Sequence, residues 1–145
     1  MITPGQVRAA LRDYVSLKTF LDAWFPAGAS TAQITRASGV GRPVERLTLA
    51  RADVQAVMDA LTFCVSQLTP LDREIVQAYC FERMTAGDAA RRAGVSRRWL
   101  FTRFDVAAAE IAVRLNAMDE KCWEAFVRFA EVVLEDQERN AIELD

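Results

Sequence analysis

Apolar residues recur every three or four positions along most of this chain, and nowhere do they alternate with polar ones over a useful length. The pattern predicts an all-α protein, a helical bundle. Val7, Leu11, Tyr14, Leu17, Leu21 and Trp24 form one helical stripe, widened by Phe20 and Phe25. Thr3 is placed to cap this helix, Pro4 occupies the first position, where its missing N–H does no harm, and Gln6 completes a capping box. From Pro26 to Pro43 the rhythm stops and Gly28, Ser30, Thr31, Ser38, Gly39 and Gly41 supply loop chemistry. Arg36 and Arg42 in that stretch are read as solvated. A second helix is expected from Thr48 or Arg51 to Gln67, with Val54, Val57, Met58, Leu61, Val65 and Leu68 inward and Met58 and Cys64 serving as packing atoms.

Thr69-Pro70-Leu71-Asp72 is the sharpest helix start: a capping hydroxyl, a proline, and a carboxylate beside the positive end of the helix dipole. This third helix is expected to reach Glu82, with Leu71, Ile75, Val76, Tyr79 and Cys80 buried. Next, Thr85 can cap a short helix with Asp88 three residues on, and the small side chains of Ala89, Ala90 and Ala93 allow another helix to come close. Gly94 supplies a positive-φ stop, Val95 plugs the angle, and Ser96 caps the next helix. Two helices joined so tightly predict a helix-turn-helix. A last helix is expected from about Asp119, with Trp123, Phe126, Ala130 and Val133 on one face. The organisation expected is an N-terminal amphipathic helix (1–25), an exposed linker (26–46), a helix-turn-helix core (47–117) and an acidic C-terminal helix (118–145).

Composition narrows the chemistry. Of 145 residues, 52% are apolar, enough to build a core. There is no histidine, lysine occurs only at positions 18 and 121, and Cys64, Cys80 and Cys122 lie far apart. Zinc, a disulfide framework and imidazole catalysis are thereby disfavoured, and the expectation is a protein that is not an enzyme and takes no metal and no cofactor. No basic and apolar leader opens the chain and no run of 18 apolar residues occurs, so a cytoplasmic location without membrane partners is expected.

Net charge is −2, but its distribution is uneven. Between residues 83 and 103 six arginines face one aspartate, a local +5, whereas from Asp119 to Asp145 nine acids face three bases, a local −6. A basic middle and an acidic end suit a nucleic-acid partner for the former only.

The stretch Leu68-Thr69-Pro70-Leu71-Asp72-Arg73-Glu74, continued by Ala89-Ala90, Gly94-Val95-Ser96 and Leu100, resembles region four of bacterial sigma factors. The resemblance covers about 50 residues and implies a helix-turn-helix that reads promoter DNA. Nothing upstream resembles the promoter-melting regions of a sigma factor. In size and layout the chain is more similar to small phage-encoded late-gene transcription regulators.

The function expected is a sequence-specific, double-stranded-DNA-binding transcription regulator of phage or mobile-element type, with RNA polymerase or a second copy as further partners. Its alternative is an RNA polymerase-binding antiterminator or sigma mimic acting through protein contacts. In the helix opened by Ser96, Leu100, Phe104, Ala108, Ile111 and Leu115 are expected inward. Arg97, Arg98, Phe101 and Thr102 then become the candidates for base edges, the two arginines for guanine O6 and N7. Arg91, Arg92, Ser96 and Arg103 are the candidates for phosphates. Trp99 is expected to pack against the alanine-rich helix. Trp123 and Phe126 are the candidate partner contacts on the acidic helix.

Overall fold

The Thr3 hydroxyl accepts the Gln6 N–H at 3.2 Å while the Gln6 side-chain oxygen accepts the Thr3 N–H at 2.9 Å, so the capping box closes and the first helix begins as its sequence dictates. The structure, a computed structural model, describes the backbone of residues 1–24 and 42–144 and the side chains of residues 1–23 and 51–138. Among the described residues there are six α-helices and no strand: α1 (Pro4–Trp24), α2 (Arg42–Ser66), α3 (Pro70–Val76), α4 (Ala86–Ala93), α5 (Arg97–Leu115) and α6 (Glu120–Leu144). The class is all-α. A π-helical turn, Gln77–Phe81, continues α3. None of these helices is long and apolar enough to cross a membrane.

Two boundaries differ from the expectation. α2 starts at Arg42, before the apolar stripe becomes regular. Pro43 is compatible with this, because the first N–H groups of a helix have no intrahelical partner to lose. The last five residues of the expected linker are therefore helical, and positions 25–41, with Arg36, lie outside the described residues. α3 in turn gives way to its π-helical turn, which keeps Ala78, Tyr79 and Cys80 buried along with Ile75 and Val76.

The chain divides into two units, and the division cuts through α1 and α2. The first unit comprises Met1–Val15 and Met58–Met118. Val7, Leu11, Met58, Leu61, Ile75, Val76, Leu100, Phe104, Ile111 and Leu115 are among its buried side chains. Asn116 ties its two chain segments: its side-chain oxygen accepts the Ile2 N–H at 2.7 Å and its amide donates to the Ile2 carbonyl at 3.0 Å. Tyr79 is enclosed, with the Arg12 guanidinium 4.6 Å from its ring centre and Phe104 edge-on at 5.6 Å.

The second unit comprises Ser16–Val57 and Asp119–Asp145, with Leu17, Leu21, Val54, Val57, Phe126, Phe129 and Val133 buried. Phe129 is fully buried and stands outside the expected inward set, although it lies three positions after Phe126. The Cys122 thiol donates to Asp53 at 3.6 Å, and burial is the first cause raising its pKa.

Candidate functional site

The basic stretch is built by three successive stops and starts of the chain in the first unit. Thr85 accepts the Asp88 N–H at 3.1 Å and opens α4. Gly94 closes it with φ +73°, a conformation an L side chain adopts only under strain. The Val95 N–H reaches back to the Ala90 carbonyl at 2.9 Å and the Gly94 N–H to that of Arg91 at 3.2 Å, which satisfies carbonyls that would otherwise be left unpaired. Ser96 is extended, and its hydroxyl accepts the Trp99 N–H at 3.0 Å to open α5. Only Gly94, Val95 and Ser96 separate the two helices. Ala89 and Ala90 are buried, as are Leu100, Phe104, Ala107, Ala108, Ile111, Ala112 and Leu115 of α5.

This framework sorts the arginines into two groups. Arg103 points its Nε and Nη2 at the two carboxylate oxygens of Asp72, at 2.9 and 2.8 Å. Asp72 is 1% exposed, so a buried charge in the first turn of α3 is neutralised by a two-pronged contact from α5. Among the described residues no buried side-chain nitrogen or oxygen lacks a partner. Arg92 clamps two more carboxylates: its Nε lies 2.6 Å from Glu74, and Nη1 and Nη2 lie 2.8 and 2.6 Å from Glu82. These hydrogen bonds hold the Glu82 carboxyl below the usual carboxylate range. Both arginines are phosphate candidates by sequence, and both instead fasten the fold. Sequence spacing could not reveal this, since the partners are 31, 18 and 10 residues away.

Arg97 and Arg98 stand in the other group. Both are exposed, and among the described residues no ion pair holds either of them. The first turn of α5 contains no acid. The Arg97 guanidinium carbon lies 5.8 Å from the Phe101 ring centre. Arg91 is exposed and paired with Asp88 on its own helix at 3.1 Å, a surface ion pair of little strength. Thr102 is exposed and its hydroxyl donates to the Arg98 carbonyl at 3.1 Å. Phe101 is 37% exposed with its inner edge against Tyr79 at 6.0 Å.

Two aromatic expectations are corrected. Trp99 is 47% exposed and is not a core residue. It precedes Leu100 by one residue, so it is turned about 100° away from the buried stripe. Phe126, expected as a partner contact, is a core residue. Trp123 is half-buried beside it, the rings 5.2 Å apart.

Burial pushes the Cys80 thiol up to about 12, which keeps it protonated near neutral pH. Among the described residues no group of three or more Cys, Asp or Glu side chains is placed to hold a metal ion. No protein-family model, no curated protein and no solved structure matches this chain.

Proposed function

We propose that this protein is a sequence-specific, double-stranded-DNA-binding transcription regulator in which α4, the three-residue turn and α5 act as a helix-turn-helix of the sigma-region-four kind. α5 is the helix that enters the major groove. One observation carries the reading: two exposed arginines, with no acid in their turn, open a helix whose own dipole is already positive at that end. Such an arrangement does nothing for the isolated fold and suits an anionic surface edged with hydrogen-bond acceptors.

In this reading Arg97 and Arg98 reach guanine O6 and N7, where a planar guanidinium can bond both atoms at once. Arg91 and Ser96 take phosphates, Ser96 through the hydroxyl hydrogen that its capping bond leaves unused. Arg92 and Arg103 are withdrawn from the phosphate set, being engaged by Glu74, Glu82 and Asp72. One helix reads few base pairs, so a second copy or RNA polymerase completes the recognition. The alternative, a polymerase-binding antiterminator, rests on Trp123 and Phe126, and the burial of Phe126 weakens it.

Footprinting on the DNA upstream of the protein's own coding sequence, with and without polymerase, tests the reading. Salt-sensitive protection lost in Arg97→Ala and Arg98→Ala is expected. Absence of protection in both conditions contradicts it.

A further inference from the structure

A line of cations and rings runs from α1 to the first turns of α5, on the Phe101 side of that helix. The Arg12 guanidinium lies 4.6 Å from the ring centre of Tyr79, Tyr79 meets Phe101 edge-on at 6.0 Å, and Phe101 carries the Arg97 guanidinium at 5.8 Å. Arg97, Phe101 and Asp105 follow one another at intervals of four residues and so share a face of α5. The acid on that face is neutralised from α1, where Arg8, one turn before Arg12, holds Asp105 at 3.1 Å. Arg12 itself is exposed, and among the described residues no ion pair or hydrogen bond engages its guanidinium. A ring attracts the cation and leaves its N–H donors for another acceptor. The nearest acid is the half-buried Asp13; burial raises its pKa, and the guanidiniums of Arg12 and Arg83 both lower it. Asp13 is thus met by two cations rather than by Arg12 alone.

Resting on the DNA-binding reading, we infer that Arg12 grips a backbone phosphate of the duplex that α5 reads, so that the DNA-contacting surface extends from the helix-turn-helix onto α1. Position decides which part of the duplex it takes. Arg12 stands on a helix other than the one that enters the groove, and the links of 4.6, 6.0 and 5.8 Å that join it to Arg97 are together comparable with the width of a major groove, about 12 Å. When Arg97 is at a base edge, Arg12 is therefore at the bordering sugar–phosphate backbone. The rings between them carry no charge, so they neither repel phosphates nor neutralise the two cations. Tyr79 is 8% exposed and meets Phe104 edge-on, which anchors the line in the core. Arg12 thereby differs from Arg92 and Arg103, whose guanidiniums are taken up by carboxylates. It adds a contact that fixes register and carries no base preference.

A duplex selected from a random-sequence pool by the full chain is the probe, and its affinity for wild type, Arg12→Gln and Arg12→Lys is measured between about 50 and 200 mM salt. Removing one phosphate contact lowers the slope of log affinity against log salt by about 0.9, so the advantage of wild type over Arg12→Gln shrinks roughly three- to fourfold across that range, on the selected and on an unselected duplex alike. Arg12→Lys keeps the wild-type slope. An uncharged methylphosphonate is then placed at each position of the selected duplex in turn. One position beside the bases that Arg97 reads weakens wild type and leaves Arg12→Gln unaffected. Arg12 is exposed, so both variants keep the wild-type helical circular dichroism. An unaltered slope in Arg12→Gln overturns the inference, and so does a loss of affinity with every methylphosphonate still felt, which marks Arg12 as a cover for Tyr79 alone. Either result, with selection still dependent on Arg97, leaves the DNA-binding reading standing. Binding of RNA polymerase lost in Arg12→Gln while DNA affinity is kept assigns the residue to an acidic protein surface and overturns it too. Enrichment of no duplex by wild type overturns both.

Discussion

α4 and α5 begin alike and are charged oppositely. Each is opened by a hydroxyl that accepts a backbone N–H three residues on, Thr85 for Asp88 and Ser96 for Trp99. α4 then places Asp88 in its first turn, as α3 places Asp72, so that negative charge meets the positive end of the helix dipole. α5 places Arg97 and Arg98 there instead. The difference separates charge that serves the fold from charge that serves a ligand. Arg92 and Arg103 belong with the first kind, because each is met by carboxylates of the same unit. On the proposed reading Arg97 and Arg98 belong with the second.

The largest effect tests the fold-serving side. Arg103→Ala leaves the Asp72 carboxylate buried without its partner and is expected to cost about 3–5 kcal/mol, read as a lower urea midpoint at unchanged slope. A loss below about 1 kcal/mol would mean that water reaches Asp72 and that the two groups of arginines differ less than described. The joint between the helices comes next. Gly94→Ala meets no neighbouring atom yet must hold φ +73°, so a cost of about 1–2 kcal/mol is expected from backbone strain alone. A neutral result would show that the turn relaxes without its left-handed residue. The smallest effect has the opposite sign. Arg97→Glu and Arg98→Glu each put an acid where the dipole favours one and are expected to stabilise by about 0.3–1 kcal/mol, a rise of a few degrees at most in thermal midpoint. Destabilisation by either reversal would place that arginine with Arg92 and Arg103.

How much of this is legible in the sequence depends on the distance over which each feature is decided. The caps at Thr3, Thr69, Thr85 and Ser96 and the stop at Gly94 are settled within three to five residues, and all of them form. The inward stripe of α5 is a matter of period alone, and Leu100, Phe104, Ala108, Ile111 and Leu115 are buried. The same period places Trp99 off that stripe, so its exposure is legible, and size and apolarity argue misleadingly for the core. The carboxylate partners of Arg92 and Arg103 are not legible. Asp72 reads as a dipole partner for its own helix, and nothing local tells that α5 brings a guanidinium to it. Nor does spacing tell which arginines stay unpaired, since that depends on where Glu74 and Glu82 stand once the helices have packed. The start of α2 is obscured because the apolar rhythm before Thr48 is weak and Pro43 resembles a loop residue.

The central claim is that Arg97 and Arg98 are held out for DNA, and the affinity of wild-type protein and of Arg97→Ala, Arg98→Ala and Arg92→Ala for a duplex selected from a random pool, against an unselected duplex of equal length, tests it most directly. The account predicts that each of the first two variants loses about 1–3 kcal/mol of specific affinity while binding to the unselected duplex changes little. Arg92→Ala is expected to lose stability rather than specificity. Equal losses on both duplexes, or full specificity without Arg97 and Arg98, would contradict the account.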